Sequence, residues 1–273
     1  MRVRIHSLLA LVFLAPLVSA AQPAVTSTAI ELKDGLIWVS VHSSSRPLNF
    51  VVDSGAAATV ISLRAARELH LDLGAPLAIA GVGTTAVGWR VANFQADLAG
   101  IALSRNVVVT NLTAVSRGCT QQIDGLLGAD FFKNRTVQIN YSRREMYCAA
   151  EAVATGRNVL PLRIKDGVMT VPVTINGEPA RWTRLDTGCT DGLHWSAATR
   201  SHRNSARQPT IALASNDTAN SATVQLGQDT LRDVGVTFHP CEIFSGEAGL
   251  LGNGVLSKFR VTIDAPHRRV ILD

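Results

Sequence analysis

Two short segments decide the expected fold: Val-Val-Asp-Ser-Gly-Ala at residues 51–56 and Arg-Leu-Asp-Thr-Gly-Cys at residues 184–189. In each, a strand-like run leads into an aspartate, and a small hydroxyl residue and a glycine then turn the chain. An acid at the end of a buried strand costs free energy unless hydrogen bonds or a partner compensate its charge. The hydroxyl group and the close backbone amides that glycine allows can supply those hydrogen bonds. Asp53 and Asp186 are therefore the first candidates for functional residues.

The chain around these two segments is duplicated. Three further pairs of segments match in the same order: Leu-Lys-Asp-Gly with Ile-Lys-Asp-Gly (32–35, 164–167), Asp-Gly-Leu-Leu-Gly with Ala-Gly-Leu-Leu-Gly (124–128, 248–252), and Val-Gln-Ile-Asn with Val-Thr-Ile-Asp (137–140, 261–264). In chain order the four offsets are 132, 133, 124 and 124 residues. A repeat of this kind indicates two related lobes in one chain.

The pattern of residues predicts β-rich lobes and an exported chain. Short Val- and Ile-rich runs alternate with Gly, Asn, Asp and Pro turns, which is typical of strands. Two arginines, an apolar run and a small-residue site ending at Ala20 are typical of a signal peptide. We therefore expect a signal peptide at residues 1–20, an N-terminal lobe at 21–150 and a C-terminal lobe at 151–273.

Charge and composition argue against several other functions. Without residues 1–20 the chain has a net charge of +3, and its basic residues are scattered rather than clustered. The sequence therefore predicts no nucleic-acid partner. No second apolar run is long enough to span a bilayer, so we expect no stable membrane anchor and a periplasmic or extracellular location. No metal or other cofactor is expected.

Four cysteines matter in an exported chain, because disulfides form outside the cytoplasm. They can pair in three ways. We prefer Cys119–Cys148 and Cys189–Cys241, since one bond in each small lobe would stabilise that lobe. Zinc binding is the competing interpretation, but the sequence contains no Cys-x-x-Cys motif and its histidines do not cluster.

Two aspartates that face each other would have a defined chemistry. Two carboxylates a few ångströms apart cannot both ionise easily, so they share one proton. The ionised member can accept a proton from water, and the protonated member can donate one to a carbonyl oxygen. Such a pair needs no covalent intermediate.

The paired motifs, Asp-Ser-Gly with Leu-Leu-Gly and Asp-Thr-Gly with Leu-Leu-Gly, resemble the active-site lobes of the pepsin/retropepsin superfamily of aspartic peptidases. Each lobe looks like the compact unit of bacterial two-lobed aspartyl proteases. The resemblance implies an all-β, bilobal acid protease fold, with two related retropepsin-like β-barrel lobes and the active site between them. It implies an aspartic endopeptidase that acts on polypeptides. Because one chain supplies both half-sites, a monomer is expected.

The resemblance also implies roles for individual residues. Asp53 and Asp186 would hold the attacking water, and Ser54 and Thr187 would brace the two loops across the lobe interface. Gly55 and Gly188 would place amides near the carboxylates. A hairpin that closes over substrate would fall within residues 81–94, with Trp89 either as its aromatic residue or as a packing residue.

The chain departs from the pepsin pattern after each motif. Ala56 and Cys189 stand where pepsins commonly have a hydroxyl residue, and the loss of a hydrogen-bond donor should raise the pKa values of the pair. We therefore expect activity at mildly acidic to near-neutral pH. The alternative function is a catalytically inactive peptide-binding module of the same fold.

Overall fold

The structure is a computed structural model that describes residues 25–81, 84–149, 156–196 and 221–273. The predicted signal peptide at 1–20 and residues 82–83 of the predicted hairpin range lie outside the described residues. Strands dominate both lobes, and the four described helices are one or two turns long. The predicted all-β, bilobal fold is confirmed. No helix in the described segments is both long and apolar enough to cross a membrane.

The first lobe contains thirteen of the described strands and three short helices. Its strands are β1 (Val25–Ala29), β2 (Glu31–Lys33), β3 (Leu36–Ser43), β4 (Pro47–Val52), β5 (Val60–Ser62), β6 (Pro76–Gly81), β7 (Thr84–Val91), β8 (Ala96–Leu98), β9 (Ile101–Ala102), β10 (Val107–Thr110), β11 (Gly125–Leu127), β12 (Thr136–Asn140) and β13 (Glu145–Ala149). Its helices are α1 (Leu63–Glu68), α2 (Thr113–Ser116) and α3 (Ala129–Phe132). Helix α1 begins after Ser62, whose hydroxyl accepts a hydrogen bond from the Ala65 amide.

The second lobe repeats this order with fewer described elements. Its strands are β14 (Asn158–Pro161), β15 (Arg163–Lys165), β16 (Val168–Ile175), β17 (Arg181–Leu185), β18 (Leu193–Ser196), β19 (Ser221–Leu226), β20 (Asp229–His239), β21 (Gly249–Leu251), β22 (Arg260–Asp264) and β23 (Arg269–Leu272). Helix α4 (Asn253–Leu256) corresponds to α3 of the first lobe.

The strands form three sheets. One ten-stranded sheet lies in the first lobe, in the order β6-β7-β10-β5-β11-β4-β3-β8-β9 with β2 beside β3. A seven-stranded sheet lies in the second, and it closes into a barrel because β16 also pairs with β19. The third sheet joins the lobes in the order β1-β13-β12-β22-β23-β14. At its centre β12 and β22, which correspond in the repeat, pair antiparallel with Val137 opposite Ile263.

The repeated Lys-Asp-Gly turns dock each lobe onto the other. Asp34 and Gly35 join β2 to β3 with φ values of 56° and 73°, and Asp166 and Gly167 join β15 to β16 with 52° and 81°. Two central residues with positive φ are typical of a type I′ hairpin turn. A Cβ on Gly35 would lie 3.1 Å from Cβ of Thr190, and one on Gly167 would lie 2.8 Å from the carbonyl oxygen of Ala57. Thr190 and Ala57 occupy corresponding positions in the two halves.

The predicted disulfide Cys119–Cys148 is not formed. All four cysteines belong to the described part of the chain, and all four are free. Cys148 lies in β13, where its side chain is buried in the main core. Cys119 instead packs on a separate apolar cluster, next to Thr120, which donates hydrogen bonds to Asp34. The prediction assigned one disulfide to each lobe, but these two thiols of the first lobe lie in different apolar clusters.

The predicted disulfide Cys189–Cys241 is not formed either. Strands β18 and β20 run parallel, with Leu193 opposite Val236 and Ser196 opposite His239. Cys189 precedes the first end of β18, and Cys241 follows the far end of β20. The length of β18, about 10 Å, therefore separates them, whereas a disulfide requires Cα atoms within about 7 Å.

Candidate active site

Each active-site aspartate sits at the end of a strand that a Leu-Leu-Gly segment supports. Strand β4 leads into Asp53 beside the parallel strand β11, and β17 leads into Asp186 beside the parallel strand β21. The Asp53 amide donates to the Leu127 carbonyl at 3.0 Å, and the Asp186 amide donates to the Leu251 carbonyl at 3.0 Å. Both aspartate loops are thus held in the same way, as the internal repeat requires.

Ser54 and Thr187 lock the two loops together across the lobes. The Ser54 amide donates to Thr187 Oγ1 at 2.9 Å, and the Thr187 amide donates to Ser54 Oγ at 3.1 Å. Each hydroxyl then donates to a backbone carbonyl of the opposite lobe, Ser54 to Leu185 at 2.8 Å and Thr187 to Val52 at 2.7 Å. Both side chains are fully buried, so these four bonds are shielded from water.

The two carboxylates face each other over the glycines. A Cβ on Gly55 would lie 2.4 Å from Cγ of Asp186, and a Cβ on Gly188 would lie 2.5 Å from Cγ of Asp53. Only glycine fits at either position. Each lobe's glycine therefore leaves the space that the other lobe's carboxyl group occupies.

Their surroundings make the aspartates unequal. Asp53 Oδ1 accepts hydrogen bonds from the Gly55 and Ala56 amides, both at 3.0 Å, whereas Asp186 Oδ1 accepts one from Gly188 at 2.9 Å. Burial, and then the negative charge of Asp53, raises the pKa of Asp186 to about 7. Burial also raises the pKa of Asp53, and the Ala56 and Gly55 amides oppose that rise. Amide donors stabilise a carboxylate anion, so the negative charge resides on Asp53 and the shared proton on Asp186.

Comparisons with known proteins agree with this geometry. A family model described as aspartyl protease matches residues 39–131, which include Asp53 and the Leu-Leu-Gly segment at 126–128. The crystal structure of basic 7S globulin from soybean matches with a TM-score of 0.57 and 12% identity, over 92% of this chain and 95% of that chain. The family match lies within the first lobe, and together the two matches support an aspartic-protease-like fold. At 12% identity the globulin shows the fold alone, and a comparison with curated proteins finds no match.

Asn253 is a residue of this peptidase-like site that sequence reasoning missed. Its Nδ2 donates to the Thr187 carbonyl at 2.7 Å and to the Gly35 carbonyl at 3.0 Å, and its Oδ1 accepts from the Tyr141 hydroxyl at 2.9 Å. The buried amide thus ties the second aspartate loop to the first lobe. Its counterpart in the repeat is Ala129. This difference between two matching segments is the sequence signal that could have indicated Asn253.

A buried ion pair was also missed. Arg184 binds both carboxylate oxygens of Glu247, with Nε at 2.7 Å from Oε2 and Nη2 at 2.6 Å from Oε1. The two side chains are 10% and 14% exposed. Arg184 lies two residues before Asp186 and Glu247 lies two residues before β21, so the pair lies beside the candidate site.

The sequence range predicted to hold a hairpin falls partly on the paired strands β6 and β7. The hairpin begins at Pro76, with Pro76 opposite Trp89 and Gly81 opposite Thr84, so the predicted range 81–94 covers only its second half and tip. Trp89 lies at the base of the hairpin, packed against the core. Its position fits the packing role rather than that of an aromatic residue at the tip.

Cys189, the residue after the second motif, does not have the surroundings of a nucleophile. Burial raises the pKa of its thiol to about 12, and the charge of Asp186 acts in the same direction. A nucleophilic cysteine needs a lowered pKa. His194 instead binds Asp191 and His239, both at 2.8 Å. Among the described residues, no group of three or more His, Cys, Asp and Glu side chains could hold a metal ion.

Proposed function

We propose that this protein is an aspartic endopeptidase that hydrolyses peptide bonds of polypeptide substrates with a water held between Asp53 and Asp186. The observation that carries the proposal is the facing of the two carboxyl groups, each over the other lobe's glycine. Their unequal hydrogen bonds supply one base and one acid in the same cleft.

The reaction follows from the placement of the proton. Ionised Asp53 accepts a proton from the water as the water oxygen attacks the carbonyl carbon. Protonated Asp186 donates its proton to the carbonyl oxygen, which avoids an unstabilised oxyanion. When the C–N bond breaks, the nitrogen takes a proton from Asp53, and the hydroxyl of the tetrahedral intermediate returns one to Asp186. The amine and the new carboxylic acid then leave, and the pair regains its starting state.

The pH range of this chemistry also follows from the pair. Water attack needs one ionised and one protonated carboxyl group. Since the pKa of Asp186 is raised to about 7, the acid remains protonated through mildly acidic pH. This supports activity at mildly acidic to near-neutral pH, and an optimum near pH 2 would contradict it.

Location and assembly form part of the same proposal. We propose that the chain works outside the cytoplasm after removal of residues 1–20, because its start has the pattern of a signal peptide. We also propose that it works as a monomer, since the two half-sites belong to one chain.

The test is hydrolysis of an unfolded protein by the purified chain in water enriched in ¹⁸O. We expect internal cleavage between pH 4 and 7, with the label in the new carboxyl ends. Mass spectrometry of the products identifies both ends of each cut. Binding of the unfolded protein without any cut at any pH from 3 to 8 would instead support the inactive peptide-binding module.

A further inference from the structure

Each of the three guanidinium nitrogens of Arg184 donates a hydrogen bond. Arg184 lies in β17, two residues before Asp186, which follows the end of that strand. Besides its two bonds to Glu247, it donates from Nη1 to the Gly55 carbonyl of the opposite lobe at 3.0 Å. The guanidinium carbon lies 3.6 Å from the centre of the Phe244 ring. These contacts hold the Arg184 guanidinium in one position between the two lobes.

The internal repeat shows that folding does not require a charge here. Arg184 corresponds to Val51 at the offset of 133 residues, and Glu247 corresponds to Ile123 at the offset of 124. Val51 and Ile123 are each 2% exposed and belong to one apolar cluster. The other buried members of that cluster are Leu36, Trp38, Val60 and Leu112. The same two positions are thus filled by an apolar pair in one lobe and by an ion pair in the other.

A buried ion pair is a poor way to stabilise a lobe. Desolvation of the two charges offsets most of their attraction, and an apolar pair of similar volume is often equally stable or more so. The first lobe uses that apolar solution. The retention of Arg184 and Glu247 in the second lobe therefore indicates a role other than stability.

The contacts of Arg184 indicate what that role is. Its acceptor, the Gly55 carbonyl, belongs to the loop whose Gly55 and Ala56 amides bind Asp53. The guanidinium therefore fixes the Gly55–Ala56 peptide, whose N–H group is one of the two donors to the proposed base. Its positive charge also lowers the pKa values of both Asp53 and Asp186 against the effect of burial.

We propose that Arg184 and Glu247 form a positioning pair for the proposed peptidase reaction, which holds the Asp53 loop against the second lobe and favours the singly ionised state of the two aspartates. Glu247 orients the guanidinium, and Arg184 transmits that orientation to the Gly55 peptide. The proposal rests on the proposed function. It assigns a task to two residues that touch neither the substrate nor the water.

The neighbouring titratable groups Cys189 and Asp191 do not supply a second positive charge beside the two aspartates. The Cys189 thiol beside Asp186 is neutral below pH 10, because burial raises its pKa. Asp191, in the same loop, is more than half exposed and binds His194. Among the described residues, Arg184 is the cation that acts on both carboxyl groups.

The test replaces the ion pair by the residues of the first lobe, in the double variant Arg184→Val, Glu247→Ile. We expect a fall in kcat of about 10- to 100-fold, because a small displacement of the reacting groups has an effect of that size, with KM within about threefold of the wild type. The acidic limb of the pH–rate profile should move upward by about 0.5 to 1 pH unit, since a stabilising cation is lost. The thermal midpoint should stay at or above that of the wild type.

Two further variants separate charge from geometry. Arg184→Lys keeps the charge but not the forked geometry, so it should keep the pH–rate profile and lose kcat. The control double variant Arg260→Val, Asp273→Ile removes an ion pair remote from the aspartates, with 2.9 Å between Nη2 of Arg260 and Oδ2 of Asp273. It should change neither kcat nor the pH–rate profile. Wild-type kcat and an unmoved profile in the Arg184→Val, Glu247→Ile variant would overturn the proposal.

A readout independent of activity distinguishes this proposal from the proposed function. The carboxyl titrations of Asp53 and Asp186, followed by ¹³C NMR in wild type and double variant, should move to higher pH in the double variant even if no substrate is cleaved. If the wild type cleaves protein but these titrations do not move, the positioning pair is wrong and the peptidase function stands. If they move but no cleavage occurs, the proposed function fails alone.

Discussion

At the scale of single residues, Asp186 couples the chemistry of the site to the stability of the fold. Its pKa is raised to about 7 by burial and by the charge of Asp53, whereas an aspartate in an unfolded chain has a pKa of about 3.9. The folded chain therefore binds this proton more tightly than the unfolded chain. The resulting stabilisation is complete below the unfolded pKa and is lost as the pH rises through the folded pKa.

The variant Asp186→Asn tests this coupling, because it removes the charge and keeps the shape. At pH 8 we expect it to be more stable than the wild type by about 4 kcal/mol, from about three pKa units at about 1.36 kcal/mol each, and at pH 4 the two should be nearly equal. Urea denaturation at both pH values measures the difference. Asp233→Asn is the matched control, since Asp233 is exposed with a φ of 55° that asparagine also adopts. An equal effect of Asp186→Asn at both pH values would contradict the raised pKa.

At the scale of elements, the Lys-Asp-Gly hairpin turns place the lobes against each other. The turn at Gly167 packs on Ala57, two residues beyond the Gly55 that faces Asp186. A change at the tip of this hairpin should therefore reach the site although no part of the turn belongs to it. The turn at Gly35 is linked in the same way to the second aspartate loop, through Asn253.

The pair of variants Gly167→Ala and Gly177→Ala isolates this docking. Both glycines have positive φ, 81° and 76°, but a Cβ on Gly177 meets no atom within 4 Å. Gly177→Ala should lose about 1 kcal/mol of stability from backbone strain and leave kcat unchanged. Gly167→Ala should lose about 1–3 kcal/mol more, because its methyl group meets the Ala57 carbonyl, and kcat should fall severalfold. Equal stability and kcat in the two variants would show that the turn does not position the site.

The elements around the aspartates could be predicted because their signal is local and occurs twice. The Asp-Ser-Gly and Asp-Thr-Gly loops and their Leu-Leu-Gly supports are contiguous segments, so the duplicated pattern alone indicates both lobes. The Arg184–Glu247 pair could not be found in this way, since 63 residues separate its members and its third partner lies in the other lobe. The two disulfide predictions were wrong for a related reason. The sequence gives the number of cysteines in each lobe, but not the sheet or the strand end at which each thiol lies.

At the scale of the whole molecule, the sheet that joins the lobes contains a buried charge. Asp264 is fully buried in β22 and accepts hydrogen bonds from Thr136, His267 and Arg269. Burial raises its pKa, but these hydrogen bonds outweigh burial and hold the pKa below its usual range. Its contribution to stability is therefore present above the unfolded pKa and is lost as the pH falls through the folded pKa.

The two effects together predict a stability maximum near about pH 4, where the contribution of Asp264 is already present and that of Asp186 is not yet lost. Asp264→Asn should lower the free energy of unfolding at pH 6 by about 1–3 kcal/mol, since it removes the buried anion that accepts hydrogen bonds from Thr136, His267 and Arg269. The loss should shrink below pH 3. Thermal unfolding of the wild type and of Asp264→Asn across pH 2 to 8 measures the stability maximum and the pH dependence of the loss. Asp72→Asn is the control, because Asp72 is exposed. A loss that does not depend on pH would contradict the lowered pKa of Asp264.

The central claim is that Asp53 and Asp186 act as one pair, and the most direct measurement is kcat/KM for protein cleavage by Asp53→Asn and Asp186→Asn beside Asp233→Asn. We expect each of the first two variants to lose at least about 1,000-fold, because proton transfer by both carboxyl groups is required, while Asp233→Asn keeps wild-type activity. Cleavage that persists in either of the first two variants would show that the two aspartates do not act as one pair.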